Sequence, residues 1–325
     1  REATGAPNVG ARPFRMASNY RSMDTNKHLP SPRSWQQEPI FVIGNPRSGT
    51  TLLRLMLTCH PGLCIPPECG FAMWLEDKYH NWGKAQQDWS LEQFINDLTN
   101  CRKFNTWSVD IEQLSDFLQQ CDPHSYSGLV ASVYHFYCMQ SGKPDARWGD
   151  KNNYYLQHIP EIHALFPQAL FLHIVRDARD VACSYKDLSK QNIESRFAPQ
   201  LPRLCSEIAV QWNSNLHTIR SAFQELPSHR FLEIRYEDLL TDTSATLERI
   251  CRFLDEPYSA EMLEFYRLNA KHALEPREFL KWKLKTVKPL DRSRVGRYKK
   301  ELTNKEKDVI AAIAGQLLEY YGYEI

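Results

Sequence analysis

No stretch of this chain approaches the roughly 20 consecutive apolar residues of a membrane-spanning helix. Net charge is equally scarce: 40 Lys and Arg against 39 Asp and Glu leave +1 over 325 residues. Without a global field, nothing favours nucleic acid or an anionic membrane as a partner, and any charged site has to be local. The nine cysteines contain no C-x-x-C pair. Cys59, Cys64 and Cys69 lie close together, but a zinc site wants tighter pairs or histidines at ligand spacing, so no metal is expected. An odd number of unpaired cysteines reads as reduced thiols. That implies a cytoplasmic setting, with a lumenal domain as the alternative if an anchor was removed upstream.

Internal repeats are absent too, as is any linker that would split the folded part. Residues 1–37 are polar, rich in Pro, Ser and Asn, and lack the apolar core of a signal peptide. They are expected to form a flexible amino-terminal arm, with Met16 as a native start. Residues 38–325 are then a single domain. The chain's composition, 42% hydrophobic and 24% charged, is that of ordinary globular protein.

What the sequence does contain is a strand-and-helix alternation. "PIFVIG" (Pro39–Gly44) is a β-branched and aromatic run ended by a turn, which fits a buried parallel strand. "TTLLRLMLTCH" (Thr50–His60) has helical spacing, and "PGLCIPPECGF" (Pro61–Phe71) reads as loop. Residues 72–140 read as several helices, broken by a turn at "RWGDKNNYYL" (Arg147–Leu156). "ALFLHIVRD" (Ala169–Asp177) is a second strand with a helix after it. A long helix over Leu204–Glu225 leads to a third strand in "RFLEIRYEDL" (Arg230–Leu239). The pattern predicts an α/β fold, a central, mostly parallel sheet flanked by helices.

The segment "GNPRSGTT" follows the first strand. Gly44 and Gly49 have the spacing of a nucleotide-triphosphatase phosphate loop, but Thr50 stands where that loop has its lysine. A strand-turn-helix of this kind offers backbone N–H groups and a helix N-terminus to an anion. Ser48, Thr50 and Thr51 add hydroxyls, and Arg47 adds a forked cation. Triphosphate chemistry uses the missing lysine against phosphate charge. A transferred sulfuryl group carries less charge and needs less neutralisation.

"NPRSGTTLLRLML" resembles the 5′-phosphosulfate loop of the sulfotransferase superfamily, whose donor is 3′-phosphoadenosine 5′-phosphosulfate (PAPS) and whose product is 3′,5′-ADP. The resemblance extends to "VRDARDVACS", where Arg176 and Ser184 match the family's 3′-phosphate pair. "IRYEDLL" suggests Tyr236 beside the adenine. "SRVGRYKKEL" is similar to the late segment that closes over the nucleotide and offers Ser293, Arg297, Tyr298 and Lys299. That segment lies within Lys281–Lys300, which holds nine Lys or Arg and one acid, Asp291. The nucleotide contacts implied are Arg47, Ser48, Gly49, Thr50, Thr51, Arg176, Ser184, Tyr236, Arg297, Tyr298 and Lys299.

The same resemblance supplies a catalytic set of Glu68, Arg47, Lys151 and Ser293. Glu68 in "IPPECGF" matches the general base of the tyrosylprotein sulfotransferase branch and its bacterial relatives. Lys151 in "WGDKNN" matches the family lysine on the sulfuryl or bridging oxygen. The cytosolic branch uses histidine instead, which makes His158, His163 and His173 the alternatives. Leu188 stands where the tyrosylprotein branch has a further arginine, which puts a protein-tyrosine acceptor in doubt. The implied acceptor is a small-molecule or peptide hydroxyl. Two other readings are a nucleotide-binding scaffold without catalysis and a small-molecule kinase with a degenerate loop. Acceptor pockets are expected in residues 72–145 and 190–215. Trp74, Tyr79 and Trp82 there read as pocket lining or, more simply, as core.

Overall fold

The computed structural model describes residues 38–84, 89–191, 193 and 195–325; the expected arm over 1–37 lies outside them. Five strands form one sheet: β1 (Ile40–Ile43), β2 (Leu63–Cys64), β3 (Arg147–Lys151), β4 (Leu170–Val175) and β5 (Phe231–Arg235). Their order is β2-β3-β1-β4-β5, and every pairing is parallel.

Helices cover both faces. Those of eight residues or more, among the described residues, are α1 (Thr50–Cys59), α2 (Leu91–Asn100), α3 (Ile111–Cys121), α4 (Tyr126–Gln140), α5 (Ala178–Ser189), α6 (Cys205–Gln224), α7 (Thr243–Phe253), α8 (Phe265–His272) and α9 (Asn304–Tyr320). No helix among the described residues is long and apolar enough to cross a membrane.

The two-residue period of β1 divides the core. Ile40 and Val42 join Leu53, Leu57 and Leu172 on one face. Phe41 enters an aromatic cluster on the other, stacked on Phe171 at 5.8 Å and edge-on to Trp148 at 6.0 Å. Tyr79 and Trp82 belong to that cluster and are core, whereas Trp74 is partly exposed. Both faces being buried explains the continuous apolar run of this strand.

Two strands correct the sequence reading. Arg147–Lys151 was expected as a turn, and it is instead the buried strand β3 between β1 and β2. It has no β-branched residue, so local preference gives no sign of it. Tertiary partners decide the matter: Trp148 stacks on Tyr134 at 4.4 Å, and Arg147 donates to the Leu254 carbonyl at 2.8 Å. Leu63–Cys64, expected as loop, pairs with its start as β2. The third expected strand ends early, at Arg235, and Tyr236–Thr241 is helical.

The strand order places β1 at the switch point, with β3 on one side and β4 on the other. In such sheets the crevice for ligands opens beyond the carboxyl ends of the strands at this point. The segments leaving β1, β3 and β4 all open there.

Candidate active site

The turn after β1 is shaped by its glycines. A Cβ on Gly44 would lie 2.6 Å from the Ile174 carbonyl oxygen, so β4 leaves no room for one. Gly49 has φ +100° and faces the Tyr236 ring, where a Cβ would meet Cδ2 at 2.5 Å. Arg47 also takes a left-handed conformation, φ +68°, an unusual one for a residue with a Cβ and a local strain. The first amides of α1 have no intrahelical partner and face the turn.

Arg47 reaches across to α5, where its Nε donates to Ser184 Oγ at 3.3 Å. Its Nη2 donates to the Trp282 carbonyl at 3.4 Å. Arg176, at the end of β4, donates from Nη1 to the Arg47 carbonyl at 3.3 Å and from Nη2 to the Arg294 carbonyl at 3.0 Å. Its guanidinium lies 4.3 Å over the Tyr236 ring. Burial, with Arg176 adding to it, holds the Arg47 pKa below the ordinary arginine value. The turn and the Arg176–Ser184 couple therefore form one continuous cationic surface. Two buried polar atoms in it, Ser48 Oγ and Arg176 Nε, have no hydrogen-bond partner in the protein. Long bonds, unpartnered donors and excess positive charge fit an anion with groups at both ends.

Glu68 lies in the loop after β2. Its Oε1 accepts from Lys151 Nζ, and its Oε2 accepts from Lys103 Nζ at 2.6 Å. Lys283 Nζ stands 3.9 Å from the same Oε2. Burial alone would raise the Glu68 pKa; Lys151, Lys283 and Lys103 outweigh it and hold the carboxyl well below its usual range. Lys151 is 1% exposed, and its Nζ also donates to Thr51 Oγ1 at 3.3 Å. Burial and Lys283 lower its pKa to about 8, against the opposing pull of Glu68. The cations depress the Glu68 carboxyl, whereas burial is the main cause of the lowered Lys151 value and Lys283 adds to it.

The other expected residues fall around this centre. Thr50 Oγ1 donates to Asn153 Oδ1 at 3.3 Å. The late segment is pinned to α5, where buried Asp180 accepts from the Gly296 and Tyr298 amides at 2.8 and 3.0 Å. Arg297 pairs with Asp187 at 2.8 Å and with Glu301, and the Tyr298 ring carries Arg179 at 4.0 Å. Ser293 is exposed, with its hydroxyl on Asp291, and Lys299 is exposed; neither is brought to Glu68 by these contacts. Of the histidine alternatives, His173 is buried against Glu233 at 3.0 Å, and His158 packs on Tyr154. His163 has an unpartnered buried Nδ1.

Sequence reasoning missed Lys103, Lys283, Glu275 and Arg54. Only the nine-to-one basic bias of Lys281–Lys300 pointed toward one of them.

The profile of the sulfotransferase family matches residues 39–260. Protein-tyrosine sulfotransferase A of Caenorhabditis elegans is 25% identical over 259 residues, 80% of this chain and 59% of that protein. The protein-tyrosine sulfotransferase of Drosophila melanogaster is 24% identical over 75% of this chain and 42% of its own length. This chain thus spans less than two thirds of either relative. The sulfotransferase domain of the Synechococcus PCC 7002 olefin synthase has the same fold, at TM-score 0.60 and 22% identity, covering 89% of this chain and 97% of the domain. The matched residues run from β1 past β5 and include the turn, Glu68, Lys151 and the Arg176–Ser184 couple, and on that match the chain belongs to the sulfotransferase family.

Proposed function

We propose that this sulfotransferase uses PAPS as donor and a hydroxyl compound as acceptor, with Glu68 as general base. The observation that carries the reading is the placing of Lys151, whose ammonium joins Glu68 to Thr51 in the first turn of α1, directly after the anion-facing loop. A proton acceptor and an anion-holding loop are thereby tied through one cation.

When bound, PAPS supplies a sulfuryl group whose S–O bond to the 5′-phosphate breaks as the acceptor oxygen bonds to sulfur, releasing 3′,5′-ADP. The turn amides, Ser48 and Arg47 hold the phosphosulfate end, while Arg176 and Ser184 hold the 3′-phosphate end. Glu68 takes the acceptor's proton. For that, one of its oxygens must lose a lysine, because both are occupied in the present arrangement. Lys151 is suited to leave, since Thr51 already draws it toward the turn, where it offsets charge on the leaving phosphate. Releasing Lys151 also raises the basicity of Glu68, which is otherwise too strongly held to be an effective base.

Thermal unfolding with 3′,5′-ADP and with Mg-ATP tests the donor. Stabilisation by the first alone is expected, and stabilisation by Mg-ATP alone would favour a kinase. Labelled PAPS offered with phenols, alcohols and tyrosine peptides then tests transfer. Stabilisation by 3′,5′-ADP with no transfer to any acceptor would leave nucleotide binding without catalysis.

A further inference from the structure

Behind Glu68 lies a second buried carboxylate that the reaction does not use. Glu275 is 2% exposed. Its Oε2 accepts from Arg54 Nη2 at 2.5 Å, and its Oε1 from Lys283 Nζ at 2.6 Å. Arg54 is itself fixed, donating to the Ile65 and Leu274 carbonyls at 3.0 and 2.9 Å. The Glu275 amide donates to Asn269 Oδ1 at 2.7 Å, and Thr286 Oγ1 donates to the Lys283 carbonyl at 2.7 Å. Asn269 Nδ2 donates to Thr286 in turn, so α8 braces both ends of the segment.

The three lysines around Glu68 are therefore held differently. Lys103 starts a 3₁₀ turn with φ +74° and is the most open of the three, at 17% exposed. Lys151 has Glu68 as its carboxylate partner and Thr51 as its second contact. Lys283 has a second carboxylate of its own, and that carboxylate is locked. Its neighbour Trp282 accepts from Arg47, so the same short helix, Leu280–Lys283, touches the turn as well. Such a network seldom adds net stability, since desolvating each ion costs several kcal/mol. Counted together, Arg54, Lys103, Lys151 and Lys283 face Glu68 and Glu275, two cations in excess.

We propose that Lys283, tethered by Glu275 and Arg54, is a positioning residue that keeps Glu68 ionised and oriented when substrates draw the other two lysines away. The idea rests on Glu68 being the base. At 3.9 Å the Lys283 ammonium acts on Glu68 Oε2 through charge without occupying it, so that oxygen can take a hydroxyl once Lys103, now 2.6 Å away, withdraws. Of the other ionisable groups of β3, Asp150 is turned to hydrogen bonds from Tyr134 and Tyr155, and Arg147 to Glu256 and the Leu254 carbonyl.

The test follows the Glu68 carboxyl by 13C NMR across pH, assigned with Glu68→Gln, in free protein and with 3′,5′-ADP. In Lys283→Met the Glu68 midpoint should rise by about one pH unit or more, and further with 3′,5′-ADP present. Lys283→Arg should restore it, and 3′,5′-ADP affinity should change by less than about threefold. Should Lys283→Met not fold, Lys283→Gln, which can still donate to Glu275, makes the same measurement. An unmoved Glu68 midpoint in a folded variant overturns the proposal and reduces Lys283 to a structural partner of Glu275. Absence of 3′,5′-ADP binding in the unaltered protein would instead overturn the donor assignment, and the free-protein titration would still judge Lys283.

Discussion

Arg47 and Ser184, 137 positions apart in the chain, meet through an Nε–Oγ hydrogen bond of 3.3 Å. One belongs to the turn after β1 and the other to the helix after β4, neighbouring strands in the sheet. Parallel pairing brings their carboxyl ends level, so the two anion-facing elements share one crevice. Arg176 completes the connection by donating to the Arg47 carbonyl.

If this crevice holds a bisphosphorylated nucleotide, Arg176→Ala should weaken 3′,5′-ADP by roughly 2 to 4 kcal/mol, the range for removing one partner of a buried charged pair. Ser184→Ala, which removes a neutral hydroxyl, should cost about 1 kcal/mol. Titration calorimetry on variants with an unchanged circular dichroism spectrum gives both values. Equal affinity in Arg176→Ala would remove that arginine from the site.

Glu68→Ala should lower transfer from PAPS by at least about 100-fold, the lower range for general-base catalysis. Binding of 3′,5′-ADP should survive, because the change removes an anion from beside Lys103 and Lys151 rather than a cation. Near-normal turnover would mean that another group takes the proton.

Gly49→Ala is expected to lose roughly 1 to 3 kcal/mol of stability, through a side chain at φ +100° and its clash with Tyr236. Pairing it with Tyr236→Ala separates the two causes. The double variant should recover the part due to the clash and keep the part due to the backbone. Strict additivity in denaturant melts would rule out direct contact as a source of the loss.

Asp150 makes stability depend on pH. Burial raises its pKa from 3.8 to about 7, against the opposing hydrogen bonds from Tyr134 and Tyr155. The folded protein therefore holds this proton more tightly than the unfolded chain. The resulting stabilisation is complete below about pH 4 and fades as pH rises through about 7. Asp150→Asn should flatten that decline, so the melting temperature of the variant gains on the parent between about pH 4 and pH 7 and keeps that gain above it. Parallel pH profiles for the two proteins would show that Asp150 is ionised throughout.

The elements with strong local signals were readable without coordinates. Ile40–Ile43 and Leu170–Val175 are apolar runs because both faces of the sheet are covered, and burial writes that directly into composition. The turn was readable because Gly44 and Gly49 answer a backbone demand, close approach at one and a positive φ at the other. Arg147–Lys151 was not readable, since its strand form comes from β1 and β2 on either side and not from its own residues. Lys103 escaped for a related reason: it lies in a left-handed turn between helices with no motif around it, and only folding sets its ammonium on Glu68.

The sequence by itself determined the alternating strands and helices, the lysine-free turn and the residue types able to hold anions, because each rests on local geometry or on burial of a whole segment. Only the tertiary structure decided which charges face one another. Arg54, Glu68, Lys103, Lys151, Glu275 and Lys283 come from separate parts of the chain, and their joint effect depends on distances of a few ångströms in a buried place. Coulomb energies there change steeply with separation and with exclusion of water, and neither quantity exists until the chain has folded.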